Sequence, residues 1–132
     1  MIDEGVIQFQ CEWIPAPPPS EIEIRELNHW RERLYARGFI GSYENGIAFG
    51  NISRRAAFGK GFIISGTQTG GLPRLKADHY TCVVACRIEE NYIRCKGPLR
   101  ASSESLTHAM IYEMDPTVQL WYTSIIGNCG VT

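Results

Sequence analysis

The sequence predicts an α/β layered domain in which helices cover the faces of a largely antiparallel sheet. Two stretches with apolar residues at helical spacing, one after Ser20 and one after Ser102, predict the helices. Short runs rich in β-branched and aromatic residues, set apart by glycines and polar turns, predict the strands. The links between those runs are too short for crossover helices, so neighbouring strands should pair as hairpins. A chain of 132 residues, 44% hydrophobic and 20% charged, suits a single domain built around one core.

Taken in order, residues 7–13 read as a strand. Ile7, Phe9, Cys11 and Trp13 alternate with Gln8, Gln10 and Glu12, which buries one face. Pro17, Pro18 and Pro19 follow as a stiff spacer, since proline lacks the amide that a helix or a ladder needs. Residues 1–19 thus form an N-terminal strand and a Pro-rich lead, and residues 20–132 the core of the same domain. Ser20 and Glu23 stand three apart as a capping box that starts the first helix. Ile24, Leu27, Trp30 and Leu34 trace its core stripe, with Arg31 as the one imperfection, and Gly38 is its stop. Residues 41–71 are rich in glycine. Residues 47–49 and 62–64 read there as two strands, each leading into a polar tip at 50–53 and 65–71. Residues 80–86 and 92–95 read as two further strands, with a turn at 89–91. The second helix should bury Leu106, Ala109, Met110 and Met114, and an apolar segment at 118–126 closes the order.

Charge and composition exclude several partners. Lys and Arg number 13 against 14 Asp and Glu, and no basic stripe stands out, so no nucleic acid is expected. No apolar run reaches bilayer length and no signal pattern opens the chain, so no membrane partner is expected. Five irregularly spaced cysteines do not form a disulfide framework and point to a cytoplasmic location with reduced thiols. Cys82, Cys86 and Cys95 read as small core residues; Cys82 and Cys86 would lie roughly 13 Å apart along a strand, too far for one metal ion. His29 reads as a surface or half-buried residue. Ser65, His79 and Asp78 make a triad only on paper, because no nucleophile elbow is present and adjacent strand residues face opposite ways.

The chemistry concentrates where a polar loop runs into the second helix, from Gly97 to Tyr112. Ser102 or Ser103 can cap the first turn, and a helix start gathers free N–H groups that suit an anion. Glu104 stands at the mouth of that site as a carboxylate for proton transfer, or simply as a complement to the helix dipole. The glycine-rich tips at 50–53 and 65–71 allow a ligand close to backbone amides, although neither matches a P-loop or a dinucleotide fingerprint.

Gly50-Asn51-Ile52-Ser53, Ile64-Ser65-Gly66, Asp78, and Ser102-Ser103-Glu104 followed by His108 and Tyr112 occur in an order that resembles the class II aldolase/adducin family. The resemblance spans roughly residues 24 to 118. It implies a three-layer α/β/α domain with a central, mostly antiparallel sheet, assembled as a homo-oligomer, a dimer or a tetramer. It further implies a small phosphorylated sugar as substrate. Asn51, Ser65, Gly66, Ser102 and Ser103 would hold the phosphate, and Glu104 would be the catalytic acid/base residue. Enzymes of the family are lyases and epimerases that use a divalent metal, usually zinc.

The family's metal ligands have no counterpart in this sequence. Its His-X-His strand should fall after Asp115-Pro116, where Val118-Gln119-Leu120-Trp121-Tyr122-Thr123-Ser124 stands. His29, His79 and His108 do not match the ligand positions, and Cys129 cannot replace three imidazoles. No metal residues and no cofactor are therefore expected. Three readings follow: a truncated or frameshifted aldolase relative that keeps the phosphate-binding half without activity, a non-catalytic interaction module of the adducin type, and an enzyme with an unexpected metal site or none. In the second, Trp121, Tyr122, Ile125 and Ile126 would lie at a subunit contact.

Overall fold

A computed structural model of the chain describes residues 8–57 and 61–124. In chain order come β1 (Gln10–Pro15), α1 (Glu21–Ala36), β2 (Gly41–Ser42), β3 (Ala48–Phe49), β4 (Asn51–Arg55) and β5 (Phe62–Ser65). They are followed by β6 (Tyr80–Arg87), β7 (Tyr92–Gly97), α2 (Ser105–Met114) and β8 (Leu120–Thr123). Ile7, Ile125, Ile126 and Cys129 lie outside the described residues. None of the described helices is long and apolar enough to cross a membrane.

Among the described residues the fold is mixed α/β, with a six-stranded mixed sheet in the order β1-β7-β6-β5-β4-β8 and a separate β2-β3 ribbon. Four of the five pairings in the main sheet are antiparallel, and β1 alone runs parallel to β7. Its position at the edge tolerates Pro15, whose missing amide is least costly there. Alternate sheet residues face different helices. Ile52, Ile63 and Tyr80 pack with Ile24 and Leu27 of α1, whereas Phe62, Ile64, Val83 and Cys95 pack with Ala109 and Tyr112 of α2. The period-2 alternation of strands thus puts the sheet between the two helices. A bulge at Val84 of β6 shifts the register, so Val83 and Cys86 share the α2 face despite their odd separation. Cys95 is fully buried, while Cys82 and Cys86 are half-buried on opposite faces.

The capping box of α1 is present: Ser20 Oγ accepts from the Glu23 amide at 3.2 Å, and the Glu23 carboxylate accepts from the Ser20 amide at 3.0 Å. Gly38, just past the helix, takes a φ of +81°, which a side chain would resist.

Three expectations need correction. Residues 51–53, read as a polar tip, form the buried start of β4, where Asn51 and Ser53 find side-chain partners. On α1, Trp30 is 45% exposed, and Arg31 takes the buried place instead. On α2, Met110 and Met114 are exposed, and the buried face is Ser105, His108, Ala109 and Tyr112. The helix is turned this way because His108 and Tyr112 both reach the Ser53 hydroxyl, and the hydrogen bonds make their burial tolerable.

Candidate functional site

Three segments distant in sequence converge before α2. β4 brings Asn51, the loop after β5 brings Thr67, Gln68 and Gly70, and the turn before α2 brings Ser102, Ser103 and Glu104. With Ala48, Phe49 and Gly50 they line a cavity of about 180 Å³. The loop is held from behind by Arg31, which donates to the carbonyls of Thr69 (3.0 Å), Gly70 (3.1 Å) and Leu72. Thr69 Oγ1 also donates to the Gly66 carbonyl at 2.8 Å. Gly70 has no room for a side chain: a Cβ there would stand 2.5 Å from the Gly41 carbonyl oxygen and 2.6 Å from that of Phe49.

Asn51 is fully engaged. Its amide donates to Ser65 O at 2.9 Å and to Ser65 Oγ at 3.1 Å, and its Oδ1 accepts from Ser102 Oγ at 2.9 Å. Ser65 Oγ also accepts from the Ile52 amide at 3.1 Å. Of the residues singled out from sequence, Asn51, Ser102, Ser103 and Glu104 line the cavity. Ser65 stands behind them and orients Asn51. Gly66 is also in the second rank, where a Cβ would lie 2.3 Å from Leu99 Cδ1, so packing against Leu99 demands its glycine. The helix itself starts at Ser105, one or two residues later than a Ser103 or Ser102 cap would set it. Ser102 Oγ instead accepts from the Glu104 amide at 3.3 Å, and Glu104 is the residue that caps the helix start without a side-chain bond. Ser103 keeps an exposed hydroxyl at the rim.

Behind Glu104 runs a line of hydrogen bonds that pattern reading missed. Thr123 Oγ1 donates to Glu104 Oε1, and His108 Nε2 lies 3.1 Å from Thr123 Oγ1. His108 Nδ1 lies 2.6 Å from Ser53 Oγ, which in turn is 2.8 Å from the Tyr112 hydroxyl. Burial alone drives the His108 pKa down to about 3, so the imidazole is neutral at physiological pH. Burial likewise raises the Tyr112 phenol above its usual range. The signal in sequence was the spacing of Glu104, His108 and Tyr112, four residues apart on one helical face. Their hydroxyl partners come from two strands that no local pattern connects to the helix.

These residues do not fit the metal of the resembled family. Among the described residues, no three His, Cys, Asp or Glu side chains gather as a metal site. On β8, Thr123 faces Glu104, and Trp121 and Tyr122 are partly exposed. The imidazole next to that strand, His108, has both nitrogens engaged by hydroxyls. What the arrangement offers is a small polar cavity with a carboxylate, hydroxyls and a glycine-rich backbone. No protein-family model, curated protein or solved structure matches the chain.

Proposed function

We propose that this chain is a class II aldolase-like domain of the cytoplasm whose cavity binds the phosphate of a small phosphorylated sugar, without the metal-dependent cleavage of the family. Glu104 is the acid/base residue of that site. The observation that carries this reading is the convergence of Asn51, Ser102, Ser103 and Glu104, taken from two separate motifs, on one cavity. Its volume of about 180 Å³ is below the usual range for larger ligands and suits a phosphate-sized group. Ser103 and the backbone amides of Gln68 and Gly70, all on the lining, supply the donors.

Inorganic phosphate or a sugar phosphate should then stabilise the fold by mass action, about 2.7 kcal/mol at a hundredfold excess over Kd. Differential scanning fluorimetry reads this as a rise in Tm. The double substitution Ser102→Ala, Ser103→Ala should remove the rise. A rise that survives the double substitution, or none in the wild type, refutes the phosphate site.

A second reading, an oligomerisation module, is favoured by the last strand. β8 ends the sheet among the described residues, and its Trp121 and Tyr122 are 36% and 40% exposed. Phe39 adds a third ring, 6.3 Å from that of Tyr122. Such an edge offers both backbone groups and apolar surface to a second copy.

A further inference from the structure

We propose that Tyr112, Ser53, His108 and Thr123 form a proton relay that ends on Glu104 and joins the candidate site to a second opening of the fold. The inference rests on Glu104 as the acid/base residue of the cavity. The four are positioning residues that act through Glu104.

Counting hydrogens orients the whole line. Thr123 has one hydroxyl hydrogen and donates it to Glu104, so towards His108 it can only accept. His108 Nε2 therefore carries the N–H, and Nδ1 of the neutral ring is an acceptor. Ser53 must then donate to Nδ1 and accept from the Tyr112 hydroxyl. Every donor points the same way, towards the carboxylate. His108 is wholly buried, and the Phe62 ring stacks on it with centroids 6.4 Å apart and lies 5.1 Å from the Tyr112 ring. That packing holds both rings in line.

The two ends of the line stand at different openings. Glu104 lines the small cavity, whereas Tyr112 lines a groove of about 530 Å³ with Arg55, Phe62, Val83, Cys86 and Glu113. In the relay step Thr123 gives its hydroxyl proton to Glu104 and takes the proton of Nε2. Nδ1 takes the proton of Ser53, Ser53 takes that of Tyr112, and the phenol regains one from water in the groove. Each oxygen and nitrogen of the four residues ends with as many hydrogens as before on the residue as a whole, and one proton has passed from solvent to Glu104. His108 changes tautomer and never becomes an imidazolium, which its burial would oppose. Glu104 could thus be reprotonated while a ligand closes the small cavity.

The test is NMR on protein labelled with ¹⁵N in its histidines. In the wild type His108 should hold the Nε2–H tautomer, and this N–H should exchange with D₂O roughly tenfold or more faster than the buried amides of Ile64 and Val83, which must wait for the fold to open. Thr123→Val and Tyr112→Phe each cut the line, and combining them should bring the exchange down to the rate of those amides in the same variant. Thr123→Ser should restore both tautomer and fast exchange. An Nδ1–H tautomer, or exchange no faster than the core amides in the wild type, overturns the relay. Because rates are compared within each variant, lower stability does not mimic the result. Phosphate plays no part in this measurement. A relay found without a phosphate-induced rise in Tm leaves the relay and removes the ligand reading, and the reverse pattern does the opposite.

Discussion

Replacing Arg31 with methionine should cost more than any surface change, because this side chain is 1% exposed and, among the described residues, has no carboxylate in an ion pair with it. Its charge is balanced by the carbonyls of Thr69, Gly70 and Leu72, with the Tyr35 ring 5.2 Å from its central carbon. Burial lowers its pKa, so the fold bears a desolvation cost to keep it charged. Methionine would keep most of the apolar stem but leave the carbonyls of Gly70 and Leu72 without donors, while that of Thr69 keeps the Leu72 amide at 3.0 Å. Leu72 is 39% exposed, so its carbonyl can turn to water, whereas Thr69 and Gly70 are buried. One orphaned buried carbonyl, that of Gly70, at about 1–3 kcal/mol, with a weakened hold on Thr69 set against the relief of removing a buried charge, gives a loss of about 1.5 kcal/mol. For a domain of this size that is a fall in Tm of roughly 5 °C. Urea unfolding followed by tryptophan fluorescence, with the m-value held as a control, measures it. Arg31→Lys should recover less than half, because one ammonium cannot fork to three carbonyls. The loop that Arg31 holds lines the cavity, so the phosphate-induced rise in Tm should shrink with it. An Arg31→Met protein within about 0.5 kcal/mol of the wild type would refute the view that this clamp fixes the loop.

Acid should destabilise the fold in a way that depends on His108. Its folded pKa of about 3 lies below the unfolded value of about 6.5, so the unfolded chain binds the extra proton first. The stability it secures is complete above about pH 6.5 and is lost as pH falls towards 3, at up to about 1.4 kcal/mol per unit. Glu12, held down by Tyr92 and Arg94, and Asp115, held down by Thr117, add losses of the same sign at lower pH. Urea midpoints between pH 7 and 4.5 should fall less steeply in His108→Gln; equal slopes would show that His108 is not buried neutral. Sedimentation velocity tests the open edge at β8. If it is a contact between copies, the wild type is a dimer or larger at micromolar concentration and Trp121→Lys is a monomer, while a monomeric wild type rejects that contact.

Much of the local structure was legible in sequence because its causes are local. Ser20 and Glu23 start α1 through bonds that span three residues, and Gly38 ends it through its own backbone. Short connections made the sheet mostly antiparallel, but they carried no sign that β1 would return to pair parallel with β7, some eighty residues on. The candidate site came from ordered motifs. Those motifs singled out Asn51, Ser102, Ser103 and Glu104 but not how far each stands from a ligand, and so did not separate them from Ser65 and Gly66 behind.

What tertiary structure alone decided is which polar residues are inside. Arg31 looks like a fault in an apolar stripe and His108 stands off the stripe read for α2, because a helical period reports average hydrophobicity and not the partner that makes a polar group acceptable in a core. Their partners are the carbonyls of Thr69, Gly70 and Leu72 and the hydroxyls of Ser53 and Thr123, brought near only when the sheet is assembled. The same contacts turn α2, expose Met110 and Met114, and aim Glu104 at the cavity. Sequence determined the elements and the residue types at the site. Long-range hydrogen bonding, which has no period along the chain, determined how those residues face one another.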